Sequence, residues 1–297
     1  MKWISLHVYY SGSLSILLTK GIYPSIKDLF KKGDIDQFFF IRYFEKGPHI
    51  RIRVRIINDP DYVISFLSAN INQYMNSVPS SYGDVKKDDW YPNNSIQPID
   101  YEPEVIRYGG YFGIEIAEKH FMYSSQLVID YFMENPYVNK DIVKGFALKI
   151  HLIFIFIFCE GDIDKMKRFT KYLYFITSNT YKNNINNEDL NNFFDVQKNK
   201  LASFVKNLFE HLGVNHIFKD DITNEWIFNT KNIKGILDLA DSKNQIEYYP
   251  NVKSLDSENL WLILFSYIHM TYNRLGIHNL DEVVLNYIIM RTMEEYM

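Results

Sequence analysis

The chain has 297 residues, enough for one large domain or two ordinary ones, and its 47% apolar and 16% aromatic content can fill a sizeable core. A net charge of −4 argues against a broad nucleic-acid-binding surface. The single cysteine, Cys159, lies in an apolar run and excludes an internal disulfide; it reads as a buried thiol in a reducing cytoplasm, and no paired Cys/His spacing suggests zinc.

In chain order, Trp3–Tyr10 alternates as a strand, without the cationic flank and cleavage site of a signal peptide. Leu14–Leu18 and Tyr23–Lys32 read as helical, with Gly33 just past the end. Gln37–Ile56 reads as two strands joined at Gly47-Pro48. In the second strand Ile50, Ile52, Val54 and Ile56 share one face, and His49, Arg51, Arg53 and Arg55 share the other. The chain has 24 Lys and only 8 Arg, and four of the arginines (Arg42, Arg51, Arg53, Arg55) fall within fourteen residues. Neighbours on one strand face sit about 7 Å apart, so a row of guanidiniums repels unless carboxylates or an anion lie among them. A planar fork is also the better clamp for a carboxylate. The row therefore points to an anion-gripping face, with a plain solvated face as the alternative.

Asp59-Pro60 ends this strand and Asp61–Met75 has near-helical spacing. Pro79–Pro98, rich in Ser, Asp, Asn and Pro, reads as a long loop. In Ile99–Gly110, Pro103 biases Glu102 toward an extended state and Gly109-Gly110 permits a positive-φ turn or a close backbone approach, and Ile114–Glu134 is helical with a break expected near Tyr123–Ser125. Ile142–Cys159 reads as a buried helix; its longest apolar run, Leu152–Cys159, is too short to span a membrane. Asp162–Ser178 is amphipathic. Residues 181–192 are Asn-rich and the best place for a linker, and Phe193–Leu212 is helical. Trp226–Phe228 reads as a short strand or turn, Asn232–Leu239 as a short helix, and Asp241–Lys253 as irregular. Two helices end the chain; Asp256 or Ser257 is the expected cap of the first, whose apolar stripe runs from Trp261 to Leu275, with His269 and Asn273 on its flank.

GxSxG, P-loop, GxGxxG and HExxH motifs are absent. What remains is arginine and histidine: six of the eight arginines lie in FIRYFEKGPHIRIRVRI, YEPEVIRYGG and HMTYNRLG. Such groups suit a substrate that develops negative charge on oxygen. Arg107 has a structural alternative as partner of Glu104 or Glu102, His269 as a hydrogen-bonded core residue, and Arg274 as a charge favourable to a helix C-terminus.

At these stretches the chain resembles the SpaB C-terminal-like, thiopeptide-type bacteriocin biosynthesis family. This family forms the glutamate-elimination domain of the tRNA-dependent class I lantibiotic dehydratases and also occurs as stand-alone proteins. The matching residues are Trp3 and its strand, Phe39-Phe40-Ile41-Arg42-Tyr43, Gly47-Pro48-His49-Ile50-Arg51-Ile52-Arg53, Tyr101-Glu102-Pro103-Glu104, Arg107-Tyr108-Gly109-Gly110, His269-Met270 and Asn273-Arg274-Leu275-Gly276. The resemblance implies an α+β fold, with a largely antiparallel sheet from the N-terminal third, helices packed on it and a helical C-terminal part. It treats residues 1–297 as a single domain, with 181–192 as the place for an internal boundary.

The activity implied is a lyase reaction: elimination of glutamate from glutamylated Ser or Thr of a ribosomally made precursor peptide, leaving dehydroalanine or dehydrobutyrine. The implied catalytic residues are Arg51, Arg53, Arg107 and His269, with Arg42, Tyr108, Asn273 and Arg274 as weaker substrate-binding candidates. No metal or other cofactor is implied. The implied partners are the leader-bearing precursor and a separate glutamyl-tRNA-dependent glutamylating protein, with no direct nucleic-acid contact and no membrane span; a homodimer stays open. Two alternatives accompany this reading: a pyridine synthase joining two dehydroalanines by a formal [4+2] cycloaddition, and a non-catalytic leader-peptide-binding scaffold.

Overall fold

β1 (Lys2–Tyr9) pairs with two neighbours, which makes it an interior strand of a four-stranded antiparallel sheet ordered β2-β3-β1-β4. The structure is a computed structural model and describes residues 2–181, 185–248 and 260–297. After β1 come α1 (Leu14–Ile16), a π-helical turn (Leu17–Ile22) and α2 (Tyr23–Lys32). Gly33, at φ 72°, ends α2 in the left-handed conformation that a residue without Cβ adopts cheaply. β2 (Ile35–Tyr43) and β3 (His49–Ile56) form the expected hairpin. α3 (Pro60–Ser77) starts where the Asp59 carboxylate accepts from the N–H groups of Asp61 and Tyr62.

The long loop expected over Pro79–Pro98 is shorter than that. Its last residues form β4 (Ser95–Pro98), registered against Leu6–Tyr9 of β1. Local composition favours a loop; pairing with a preformed strand overrides it.

α4 (Gly110–Glu134) is continuous through Tyr123–Ser125, where a break was expected. Ser124 Oγ donates to the Phe121 carbonyl, and Ser125 Oγ accepts from the Phe40 N–H of β2, so both hydroxyls are satisfied without breaking the helix. α5 (Lys140–Phe158), α6 (Ile163–Thr180), α7 (Asn187–Gly213) and α8 (Asp221–Ser242) come next. α8 absorbs both the strand or turn expected at Trp226–Phe228 and the short helix expected at Asn232–Leu239. Trp226, Ile233, Leu237 and Ala240 share its buried face, so helical burial outweighs the β preference of Trp-Ile-Phe. α9 (Trp261–Leu275) ends at Gly276, and α10 (Leu280–Tyr296) completes the chain. The expected caps Asp256 and Ser257 lie outside the described residues, as does part of the 181–192 stretch, where α7 begins at Asn187.

Two compact units result. One comprises residues 1–103 and 121–138, the other residues 104–120 and 139–297, so the chain passes from one to the other within α4. In the first, the sheet face bearing Ile50, Ile52, Val54 and Ile56 is buried together with Leu17, Leu18, Ile26, Leu29, Val63, Leu67 and Ile71. In the second, α5 is apolar almost all round, with Leu152, Ile153, Phe154 and Ile155 all buried. No helix among the described residues is long and apolar enough to cross a membrane.

Candidate functional site

The opposite face of the first unit's sheet carries the arginine row. β3 lies between β2 and β1, so each arginine is flanked on both sides: Arg51 by Ile41 and His7, Arg53 by Phe39 and Ser5, Arg55 by Gln37 and Trp3. The repulsion anticipated along the row is relieved differently at each position. Arg55 donates Nε–H and Nη2–H to the two oxygens of Asp36, at 2.6 Å each, and so is a structural ion pair. Arg51 lies over the Tyr43 ring, its guanidinium carbon 3.7 Å from the centroid, and its carboxylate neighbour is the exposed Glu45 at 3.6 Å. Arg53 lies over Tyr101 at 4.4 Å and beside Phe39 at 5.3 Å. Arg51 and Arg53 thus both rest on aromatic faces, which support a cation.

Beneath them the face is neutral. Burial, then the charge of Arg51, the neighbouring His49 and the charge of Arg53 hold His7 down to about 3. Burial and Arg51 bring His49 to about 4, against the opposing pull of its bond to Gly47. Ser5 Oγ, His7 Nδ1 and Gln37 Oε1 are buried with no hydrogen-bond partner among the described residues.

Arg42 does not join this set. It pairs in register with Ile50 and so projects from the opposite face, where it donates to Ser15 Oγ at 2.9 Å and lies against the Phe132 ring; burial lowers its pKa to about 10. Its expected place among the substrate-binding residues is corrected by the two-residue period of the strand.

In the second unit Arg107 precedes Gly109 and Gly110, which take φ values of 89° and 86°. A Cβ on Gly109 would stand 2.8 Å from Ile246 and 2.9 Å from Ile263. The turn therefore needs glycine both for its backbone and for its close approach, and the Gly109 carbonyl accepts from the Glu247 N–H. Arg107 Nε donates to Ser266 Oγ on α9 at 3.1 Å. The structural alternative, pairing with Glu104, is present only as a long exposed contact of 3.4 Å, a pair that contributes little.

Ser266 stands one turn before His269 on the same helix, so Arg107 is held beside the histidine's face of α9. His269 Nδ1 lies 2.8 Å from Glu282 Oε2, and Glu282, in the first turn of α10, has a side chain only 3% exposed. A carboxylate accepts, so Nδ1 carries the proton and Nε2 is the basic nitrogen. The start of α10 is itself pinned: Asp281 accepts from Lys140 at 2.7 Å and Lys144 at 2.9 Å. Glu282 was not among the residues singled out in the sequence. Its one signal, an acidic residue opening a helix, is common to most helices.

The weaker candidates separate. Asn273 is half-buried on the face of His269, one turn on. Tyr108 is buried and stacked on Tyr267, with rings 6.1 Å apart, as a packing residue. Arg274 is fully buried and donates to the Met270 carbonyl at 2.8 Å; neither an accessible site nor a surface dipole charge describes it. No cluster of three or more His, Cys, Asp or Glu side chains suited to a metal occurs among the described residues.

The chain is 27% identical over 286 residues to the epidermin biosynthesis protein EpiB of Staphylococcus epidermidis, covering 92% of this chain and 24% of EpiB. It is 23% identical over 302 residues to the nisin biosynthesis protein NisB of Lactococcus lactis subsp. lactis, covering 100% and 26%. It thus spans about a quarter of the length of these relatives. Among solved structures, TbtD, a pyridine synthase from thiomuracin biosynthesis, superposes with a TM-score of 0.76 at 12% identity, covering 100% of this chain and 99% of TbtD. The tRNA-dependent lantibiotic dehydratase MibB from Microbispora sp. 107891 superposes with 0.66 at 13% identity, covering 99% and 28%. The profile of the lantibiotic biosynthesis dehydratase C-terminal family matches residues 3–293, and the chain belongs to that family.

Proposed function

We propose that the protein is the glutamate-elimination component of a peptide dehydration system. The observation that carries this reading is the contrast between two arginines of one strand. Arg55 is closed by a bidentate aspartate, while Arg51 lies over the Tyr43 ring and has only the exposed Glu45, at 3.6 Å, as a carboxylate neighbour. A substrate carboxylate can replace so loose a contact at the terminal nitrogens of Arg51.

An aminoacyl-tRNA carries its amino acid through the α-carboxyl. A glutamyl group transferred from it to Ser or Thr is therefore an α-ester whose γ-carboxylate stays free. Elimination takes the α-proton of the Ser or Thr residue, breaks its Cβ–O bond and releases glutamate through its α-carboxylate. Arg51 and Arg53 bind carboxylate oxygens. Arg107 supplies a further donor for charge that develops on oxygen, a contribution of roughly 3 kcal/mol where such donors have been removed. His269 Nε2, made the basic nitrogen by Glu282, takes the α-proton. The glutamylated precursor comes from a separate glutamylating protein, and the setting is the cytoplasm, where glutamyl-tRNA is made.

The test is mass spectrometry of a glutamylated Ser peptide incubated with the protein. Loss of glutamic acid with formation of dehydroalanine is expected, together with accumulation of intact ester when Arg107→Ala or His269→Ala replaces the wild type. Turnover of a bis-dehydroalanine peptide alone would replace this reading with pyridine formation; binding without any mass change would replace it with a leader-binding scaffold.

A further inference from the structure

We infer that His49 is a positioning residue that fixes how Arg51 meets a carboxylate. The inference rests on the assignment of Arg51 to the site proposed above. His49 is fully buried at the hairpin end of β3. Its Nδ1 lies 2.8 Å from the Gly47 carbonyl oxygen. A carbonyl can only accept, so Nδ1 carries the proton of the neutral ring and Nε2 presents a lone pair. Arg51 Nε donates to that lone pair at 3.1 Å.

The ring is held on several sides. Tyr9 lies 4.4 Å away and His7 5.2 Å away, both from β1, and Tyr43 from β2 meets its edge at 5.8 Å. Gly47, at φ 110°, aims the carbonyl, and a Cβ there would stand 2.8 Å from Tyr82 Oη. Burial keeps the imidazole neutral at ordinary pH, so this tautomer persists.

The consequence is geometric. A free guanidinium can bind a carboxylate side-on, through Nε and one terminal nitrogen, or end-on, through both terminal nitrogens. With Nε committed to His49, Arg51 can offer only the end-on fork. Its loose contact from Nη2 to Glu45, at 3.6 Å, is the one that a substrate carboxylate displaces. Arg55 shows the other mode: it binds Asp36 side-on, through Nε and Nη2.

The experiment combines a spectroscopic and a kinetic arm. In wild-type protein labelled with 15N in histidine and arginine, His49 is expected to show the Nδ1-protonated tautomer, and the Arg51 Nε–H is expected to be protected from exchange. An Nε2-protonated His49 overturns the inference without recourse to any variant. His49→Phe keeps the ring stack and removes both nitrogens. It is expected to speed exchange of the Arg51 Nε–H at least about tenfold and to lower kcat/KM for glutamate elimination about tenfold, the scale of one hydrogen bond to a charged group. In an Arg51→Ala background the same replacement is expected to have no further effect on kcat/KM. Unchanged Arg51 exchange, or equal kinetic losses in both backgrounds, overturns it. If Arg51→Ala alone eliminates at the wild-type rate, the proposed site fails, and the exchange arm still decides whether His49 holds Arg51.

Discussion

Arg51 and Arg55 share one face of one strand and differ in what holds them, a ring face for one and a bidentate carboxylate for the other. Replacing Arg55 with Ala removes a bidentate ion pair and is expected to cost about 1 kcal/mol in a urea titration while leaving glutamate release intact. Arg51→Ala removes a like charge from the row but also the donor to the buried His49 Nε2, and is expected to cost about 1 kcal/mol in the same titration while slowing release about a hundredfold. The row itself was legible in the sequence, because strict alternation in a lysine-rich chain singles out His49, Arg51, Arg53 and Arg55. The partners were not: Asp36 and Glu282 are ordinary acidic residues until the fold brings them to 2.6 Å and 2.8 Å of their partners. For Glu282 the expectation is kinetic. Glu282→Gln keeps an acceptor for the His269 ring but loses the charge, and is expected to slow elimination about tenfold. Glu282→Ala, which also frees the ring to turn, is expected to slow it about a hundredfold, both read as accumulation of glutamylated peptide.

Elements were legible wherever one face is buried along the whole length. β3 alternates as expected and α9 carries its apolar stripe, whereas α5, apolar almost all round, shows by its length rather than by its period. The misses are of another kind. β4 exists because β1 offers an unpaired edge, and nothing within Ser95–Pro98 announces it. α8 runs through Trp226–Phe228 because its buried stripe starts there. The RYGG turn shows how an element places a side chain. Gly109→Ala would require an L-residue at φ 89° and a methyl group 2.8 Å from Ile246. The expected cost is roughly 2 kcal/mol, measurable by chemical denaturation. A fall in elimination rate is expected alongside it, since Arg107 lies two residues away.

Four histidines among the described residues are buried and held neutral. Burial lowers His7 and His151 to about 3 and His49 to about 4, and it lowers His120 well below its ordinary value, with Arg274 adding to the effect. In each case the folded pKa lies below that of the unfolded chain, near 6.5. The unfolded state therefore binds more protons as pH falls from about 6.5 toward 3. Their stabilising contribution is complete above pH 6.5 and is lost through that window. The melting temperature is expected to drop on the order of 5 °C or more between pH 7.5 and pH 5. A melting temperature that stays flat or rises would show these rings to be accessible. Histidine content is visible in the sequence; burial of four out of eight is a property of the assembled cores.

The helix through which the chain passes between the two units bears on descent. Residues 1–103 reach their complement only with 121–138, and 104–120 only with 139–297. A break at 120/121, within α4, divides both units, and no single continuous stretch of chain holds one whole unit without a segment of the other. A stretch inherited as one piece must therefore carry parts of both units, and the family profile spans both, from residue 3 to residue 293.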